Sequence, residues 1–222
     1  MKPSRLQSWI VLALAALYFL LPLIATFEFS LRMKRGEYSF EAYRVVFADA
    51  RFQSAFLYSA TMAVATIAIG VLLVVPTAYW VNLRLPRLRP VVEFVTMLPL
   101  VIPAIVLVFG YLHLYNSSSW LPFTSSALAT DVLLTFAYAT LALPYMYRAV
   151  DTGLRAIDVR TLTEAAESLG AGTFTILFRI ILPNLKSAVL SGAFLTFAIV
   201  IGEFTIATLL EGFFPDAEIG DR

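Results

Sequence analysis

The sequence contains no cysteine and a single histidine, His113, in 222 residues. Without thiols, disulfide bonds, thiolate zinc sites and a cysteine nucleophile are excluded, and one histidine argues against a catalytic metal centre. Only 14% of the residues are charged, whereas a soluble domain carries roughly 25%. The net charge of +1 offers no basic surplus for nucleic acid. We therefore expect no metal site, no other cofactor and no nucleic-acid partner.

Long apolar stretches are abundant, because 60% of the residues are hydrophobic and the mean hydropathy is +0.83. A helix that crosses a bilayer needs about 20 mostly apolar residues. Five stretches qualify, and they predict spans near 8–27, 55–81, 92–112, 129–148 and 187–210. Lipid offers no hydrogen-bond partners to the backbone, so each span is expected to be a helix. The predicted fold is an all-α, polytopic transmembrane helix bundle that forms one domain over residues 1–222 in a lipid bilayer.

Lys and Arg near the ends of the spans predict the orientation, because cytoplasmic loops carry an excess of them. Lys2 and Arg5 precede the first span, and the 82–90 loop holds three arginines without an acidic residue. The basic residues between 32 and 51 argue in the opposite direction. The first apolar run is too long for a cleaved signal peptide. We expect a multi-pass membrane protein with a cytoplasmic N-terminus.

The 148–187 loop, between the fourth and fifth spans, is the one sizeable polar segment of the sequence. Thr161 and Glu164 fit a capping box, so a short helix is expected to begin at Thr161 and to end at Gly170. Its apolar positions recur at helical spacing and predict one apolar face, formed by Leu162, Ala165, Ala166 and Leu169. A second amphipathic helix is expected to be closed by Pro183. From these residues alone, a solvated connector with an interfacial helix remains an open alternative.

The spacing of residues in this loop resembles the EAA loop of ATP-binding-cassette importer permeases. The matching positions are Glu164, Ala165, Ala166, Gly170, Ile180, Leu182 and Pro183. The chain looks like a type I permease with the fold of the methionine importers, closest to the polyamine, ferric and thiamine permease group. This resemblance implies that the 148–187 loop carries a coupling helix, which lies in a cleft of a separate cytoplasmic ATPase.

The same resemblance implies a location in the bacterial inner membrane and further partners. A second permease subunit would complete the solute path, and an extracytoplasmic solute-binding protein would deliver the solute. The sequence has no GxxxxGK[ST] motif, so nucleotide binding by that route is not expected in this chain. We therefore do not expect an enzyme, since ATP hydrolysis would belong to the partner. The pairing of the permease subunits, as a homodimer or a heterodimer, stays open.

The resemblance is incomplete near the C-terminus. Permeases of this group have a sixth span after the position of Leu210, whereas this sequence continues with Glu211 and a short acidic tail. We expect the sixth span to be missing, which leaves open a truncated, non-transporting membrane protein.

Glu203 is the candidate for the solute path, because a charged residue within a span is costly and invites a functional interpretation. A carboxylate there would suit a small cationic solute such as a polyamine, although a glutamate near the membrane edge remains an alternative. A secondary transporter or channel subunit also stays open, but it would favour inverted repeats and several charges inside the membrane.

Overall fold

The structure is a computed structural model that describes residues 5–32, 37–116, 118–120, 126–203, 206–207 and 209. It divides into two compact units, Met1–Phe56 and Leu57–Arg222, which are described separately. The single domain expected over residues 1–222 remains a prediction. The sixth span expected to be missing after Leu210 concerns residues outside the described part of the chain.

The first unit contains helix α1, Arg5–Ser30, and the short helix α2, Glu41–Ala48. None of the α1 residues is buried, and an 18-residue stretch of this helix has a mean hydropathy of 2.5, which suits a lipid environment. After α1, the Tyr38 hydroxyl donates to the Glu28 carboxylate, and Arg32 donates to the Tyr38 oxygen. These bonds give the polar groups at this end of α1 local partners.

Helix α3, Ala50–Leu83, has 34 residues and lies mostly in the second unit. At a rise of 1.5 Å per residue it is about 50 Å long, which exceeds the roughly 30 Å hydrocarbon core of a bilayer. Its buried residues all lie between Ala63 and Val81. The C-terminal part of α3 therefore carries most of its packing, and Pro76 is accommodated inside the helix.

The third predicted span, 92–112, is wrong as a single helix. The structure has α4, Arg89–Val101, and α5, Ala104–Leu114, with a bend of 103° between the segments. Ile102 is extended, with φ −85° and ψ 120°. Proline disfavours the helical conformation of the residue before it, and Pro103 also has no N–H to continue the ladder. The break therefore has a local cause at Ile102 and Pro103.

The second unit also contains four further helices in the part that the structure describes: α6, Ala127–Ala156; α7, Val159–Ser168; α8, Thr173–Asn184; and α9, Lys186–Gly202. Helices α8 and α9 meet at a bend of 77°. The fifth span, predicted over 187–210, is shorter as a helix, because Glu203 leaves the helical conformation with ψ 112°. Within the described residues, three helices are long and apolar enough to cross a membrane, or up to five if each bent pair is one span. The all-α, polytopic prediction is confirmed.

Helix α6 is central to the second unit and packs closely against α9. A Cβ atom at Gly153 would lie 2.4 Å from Cβ of Ala188, and one at Gly192 would lie 2.7 Å from Sδ of Met146. Such distances leave no room for a larger side chain, so glycine permits this close crossing. One apolar cluster joins α6 to α3, α7 and α8, and a second joins α6 to α3, α5 and α9.

Candidate functional site

Helix α7 lies within the 148–187 loop and begins earlier than the capping box predicted. Its N-cap is Asp158, whose Oδ1 accepts from the Thr161 amide at 3.1 Å and whose Oδ2 accepts from the Thr161 hydroxyl at 2.7 Å. The expected capping by Thr161 is therefore wrong, because Thr161 donates to the preceding carboxylate. These hydrogen bonds, the hydroxyl bond first, lower the pKa of Asp158. The cap is thus kept until the pH falls through that lowered pKa.

The end of α7 is confirmed at Gly170. Its N–H donates to the Glu167 carbonyl at 2.9 Å, and the Ala171 N–H donates to the Ala166 carbonyl at 3.0 Å. These two bonds form a Schellman motif. Gly170 has φ +79°, a left-handed conformation that favours glycine because it has no Cβ. The glycine therefore reverses the chain directly after α7.

The apolar face predicted for α7 is divided between the protein interior and the surface. Val159, Thr163 and Ala166 are buried, whereas Ala165 is exposed and Leu169 has 87% of its surface exposed. The two alanines of the Glu164-Ala165-Ala166 motif thus occupy different environments. Ala166 packs in the cluster of α3, α6 and α8, and only Ala165 is available to a partner.

Two side-chain contacts connect α7 to the end of α3. The Tyr79 hydroxyl lies 3.1 Å from Oγ1 of Thr163, and both groups are buried. Arg84, just beyond α3, donates to Glu167 at 3.3 Å. The apolar packing of Ala166 adds to these polar contacts. Helix α7 is therefore held on the bundle through Thr163 and Ala166 on its inner face, and the exposed Arg84–Glu167 pair adds little stability.

Glu164 lies on the outer side of α7. Its Oε1 accepts from Nε of Arg160 at 2.8 Å, one turn earlier in the helix. The side chains of Arg160 and Glu164 are 81% and 62% exposed. An ion pair this exposed contributes little to stability. Glu164 is therefore not needed to hold α7 in place, and its carboxylate is accessible from solvent.

Helix α8 presents a second exposed apolar surface. The rings of Phe174 and Phe178 are stacked with centroids 6.2 Å apart, and Phe174 is 80% exposed. On the other side, Ile176, Leu177 and Ile181 are buried. The tip of the loop thus exposes Leu169 and Phe174 close together in sequence, on either side of Gly170 and Gly172.

The remaining motif residues lie in the second half of α8. Ile180 and Leu182 are half-buried against the apolar core, and Pro183 is exposed. Pro183 does not close the helix as predicted, because α8 continues to Asn184. Residues Ile176–Ile181 form a π-helical turn in which the Leu182 N–H donates to the Leu177 carbonyl. This wider turn precedes Pro183, which has no N–H of its own to donate.

A buried carboxylate, Asp151 on α6, joins three helices near α7. Arg89 of α4 donates to both oxygens of Asp151 at 2.9 and 3.0 Å, and Arg155 donates to Oδ2 at 2.9 Å. Asn82 of α3 donates to Oδ1 at 3.0 Å. Arg89 also donates to Glu93 at 2.8 Å. We call Asn82, Arg89, Glu93, Asp151 and Arg155 the Asp151 cluster.

Sequence reasoning did not predict the Asp151 cluster. Asp151 and Arg155 are one helical turn apart at the end of a long apolar run, and that spacing is the signal that could have found part of it. Asn82 and Arg89 belong to other helices, so their contribution follows only from the packing. The cluster fixes α3, α4 and α6 beside the 148–187 loop.

Glu203 lies apart from these residues, directly after α9. Its carboxylate accepts a hydrogen bond from the Ile206 amide at 3.2 Å, and its surface is half-buried. A side-chain oxygen that accepts from an amide three residues later resembles a helix cap. The side chain thus has a local structural role, whatever its relation to a solute.

Comparisons with known proteins show what this chain is similar to in sequence. Residues 75–214 match the family model described as the inner membrane component of binding-protein-dependent transport systems. A probable molybdenum ABC transporter permease of Haloferax volcanii is 35% identical over 142 residues, which cover 64% of this chain and 52% of that relative. This chain thus spans about half the length of that protein.

Two further relatives differ in the solute that their names give. The molybdenum transport system permease of Azotobacter vinelandii is 29% identical over 170 residues, covering 70% of this chain and 72% of the relative. The spermidine/putrescine transport system permease of Escherichia coli is 40% identical over 86 residues, covering 39% and 31%. The relatives therefore agree on the kind of protein and leave the solute undetermined.

Proposed function

This chain belongs to the family of inner membrane components of binding-protein-dependent transport systems, and on that premise we propose that it is the permease subunit of an ATP-binding-cassette importer. It forms the solute path with a second permease subunit and receives solute from an extracytoplasmic binding protein. A separate cytoplasmic ATPase hydrolyses ATP. The observation that carries this proposal is the exposed tip of the 148–187 loop. In this proposal the loop and the N-terminus both lie in the cytoplasm.

The tip has the properties of a docking surface for a partner with an apolar cleft. Leu169 and Phe174 are 87% and 80% exposed, although large apolar side chains gain free energy when they leave water. Ala165 is small, which allows close approach, and Glu164 offers a carboxylate to a donor on the partner. A helix lying in a groove is a common recognition mode. These residues support an ATPase as the occupant.

The contacts on the inner face of α7 support coupling to the bundle. A partner that moves α7 also displaces Thr163 and Glu167, which contact Tyr79 and Arg84. Such a displacement favours one of two arrangements of the membrane helices, because a ligand shifts an equilibrium by its difference in affinity for the two states. In this proposal, closure of the ATPase opens the path to the outside.

The experiment is co-purification with an ATP-binding-cassette ATPase of the source cell, identified by mass spectrometry and by ATP hydrolysis. Leu169→Asp and Phe174→Asp should each abolish co-purification, because a charge replaces an apolar contact on the exposed tip. Trp120→Asp is the matched control, since Trp120 is 94% exposed outside the 148–187 loop. The control should retain the ATPase.

Two outcomes would contradict the proposal. If the unaltered protein brings down no such ATPase in any mild detergent, a secondary transporter, a channel subunit or a non-transporting membrane protein is favoured. If the two tip variants retain the ATPase as well as the control does, the partner does not dock on this tip.

Two solute classes are candidates. Glu203 supports a small cation such as a polyamine, a class that the name of the Escherichia coli relative also gives. The names of the Haloferax and Azotobacter relatives give molybdenum, which is carried in water as an oxyanion. A negatively charged solute path would favour the cation, and a positively charged path would favour the oxyanion.

A further inference from the structure

A groove of about 520 Å³ runs along α6 in the second unit, between α4 and the start of α9. It lies at the end of the bundle where the 148–187 loop begins. Met97 and Leu100 form the α4 side, and Ser187, Ser191 and Leu195 form the α9 side. We call it the Arg148 groove, after the α6 residue that gives it its charge.

Among the described residues that line this groove, Arg148 is the only charged one. Within the described part of the chain, no carboxylate lies within ion-pair distance of its guanidinium. The neighbouring acidic groups already have partners, since Asp151 and Glu93 both pair with Arg89 and Arg155. The positive charge of Arg148 therefore stays uncompensated at the groove.

Other groups around Arg148 can donate hydrogen bonds to an anion. Tyr145 and Ser187 have hydroxyls in the groove lining, and Asn184 contributes an amide whose Nδ2 donates one bond to the Ile180 carbonyl. The groove also lies at the N-terminal end of α9, where the helix dipole favours negative charge. None of the lining residues that the structure describes is acidic. The lining thus offers donors and positive potential together.

The chemistry of arginine narrows the class of ligand. The planar guanidinium donates two parallel hydrogen bonds to an oxyanion, whereas it repels an ammonium group. Arg148 lies near the end of α6, where the 148–187 loop begins, and it is exposed, so a ligand can reach its guanidinium from water. We infer that the Arg148 groove is a segment of the solute path that binds a tetrahedral oxyanion. The inference rests on the proposed function, and it favours an anionic solute over a polyamine.

The absence of cysteine from the sequence allows a direct test in the full chain, held in phosphatidylcholine nanodiscs. Ser187→Cys and Ser191→Cys each place one thiol in the groove. Their reaction rates are compared for two small thiosulfonate reagents of similar size, one bearing a sulfonate and the other a quaternary ammonium. The ratio of the anionic rate to the cationic rate should be higher than at Ser168→Cys outside the groove, because Arg148 raises the local concentration of the anionic reagent.

Removing the charge should change this preference. In the Ser187→Cys protein, Arg148→Gln should lower the ratio of the anionic to the cationic rate about tenfold, as expected for the loss of one charge at close range. Arg148→Lys keeps the charge and should preserve most of this ratio. Ser168→Cys on α7 lies outside the groove lining and is the control, so Arg148→Gln should leave its ratio unchanged. Thiols that react with neither reagent, or a ratio that Arg148→Gln does not alter, would overturn the inference.

Competition identifies the source of the oxyanion, which is either a solute or the phosphate of a lipid head group. Molybdate at millimolar concentration should slow modification of Ser187→Cys, and spermidine should not. If phosphatidylglycerol in the nanodisc protects the thiol and molybdate does not, the groove is a lipid site and the inference fails. The ATPase co-purification is measured on the same variants. Retained ATPase without a charge preference refutes only the anion site. A charge preference without any ATPase refutes the importer proposal and the assignment of the groove to a solute path, and leaves only an anion-binding groove.

Discussion

Asp151 holds a negative charge among two guanidinium groups and one amide that come from three helices. Its side chain is 9% exposed, while those of Arg89 and Arg155 are 28% and 55% exposed. The carboxylate has left water, and its hydrogen bonds offset that cost, whereas the arginines keep part of their hydration. Loss of the carboxylate therefore removes the group on which the cluster depends.

We predict that Asp151→Asn lowers the free energy of unfolding by about 2–3 kcal/mol, below the cost of breaking a fully buried pair. The amide keeps the shape of the carboxylate but leaves Arg89 and Arg155 without their shared charge. The measurement is the midpoint of thermal unfolding in mild detergent. Glu93→Gln is the control and should cost less than about 1 kcal/mol, because Glu93 is more exposed. Equal losses in both variants would refute a central role for Asp151.

Helix α7 has a specific cap at each end, and its surface has one buried side and one exposed side. Asp158 caps its first turn, and Gly170 closes its last. The buried side faces the bundle through Thr163 and Ala166, and the other side is left to solvent. An element of ten residues is too short to be stable alone, so its orientation depends on these ends and on its anchors.

Gly170→Ala is expected to destabilise the turn after α7 by about 1–2 kcal/mol, because a residue with a Cβ is disfavoured in the left-handed conformation. Gly172→Ala is a close control, since a Cβ at either position would meet no atom within 4 Å, but Gly172 has φ −76°. Hydrogen exchange of the Gly170 and Ala171 amides measures the difference. Exchange should accelerate in the first variant and stay unchanged in the second.

If α6 spans the membrane, the 148–187 loop and Ser118 lie on opposite sides of it. Helix α6 is 30 residues long, with Ser118 before it and Ser168 after it. The proposed coupling to a cytoplasmic ATPase requires Ser168 inside the cell. The apolar length of α6 supports a crossing but does not decide its direction.

We predict that Ser118→Cys is labelled in intact cells by a membrane-impermeant thiol reagent and that Ser168→Cys is labelled only after permeabilisation. The unaltered chain has no cysteine, so it supplies the blank for both measurements. Labelling of Ser168→Cys in intact cells would place the loop outside, and the ATPase proposal would then be wrong. Labelling of both positions in intact cells would contradict a membrane-spanning α6.

The features that sequence reasoning predicted correctly depend on short-range chemistry or on composition. Gly170 ends α7 because the left-handed turn there is a local requirement. The all-α bundle follows from apolar stretches whose backbone groups must be satisfied within each segment. Helix α7 starts a few residues before its predicted start. Asp158 and Thr161 are both residue types that cap helices, and only the structure shows that the Asp158 carboxylate accepts the hydrogen bonds of the cap.

Composition and apolar length by themselves determined that this protein is a helical membrane bundle, and the spacing of the loop residues determined its resemblance to importer permeases. Only the tertiary structure decided that Ala166 faces the core, that Ala165 and Leu169 face solvent, and that Asp151 is paired while Arg148 is left without an ion pair in the described part of the chain. The physical reason is that burial and charge pairing depend on groups brought together from distant positions, whereas helix formation and capping depend on near neighbours.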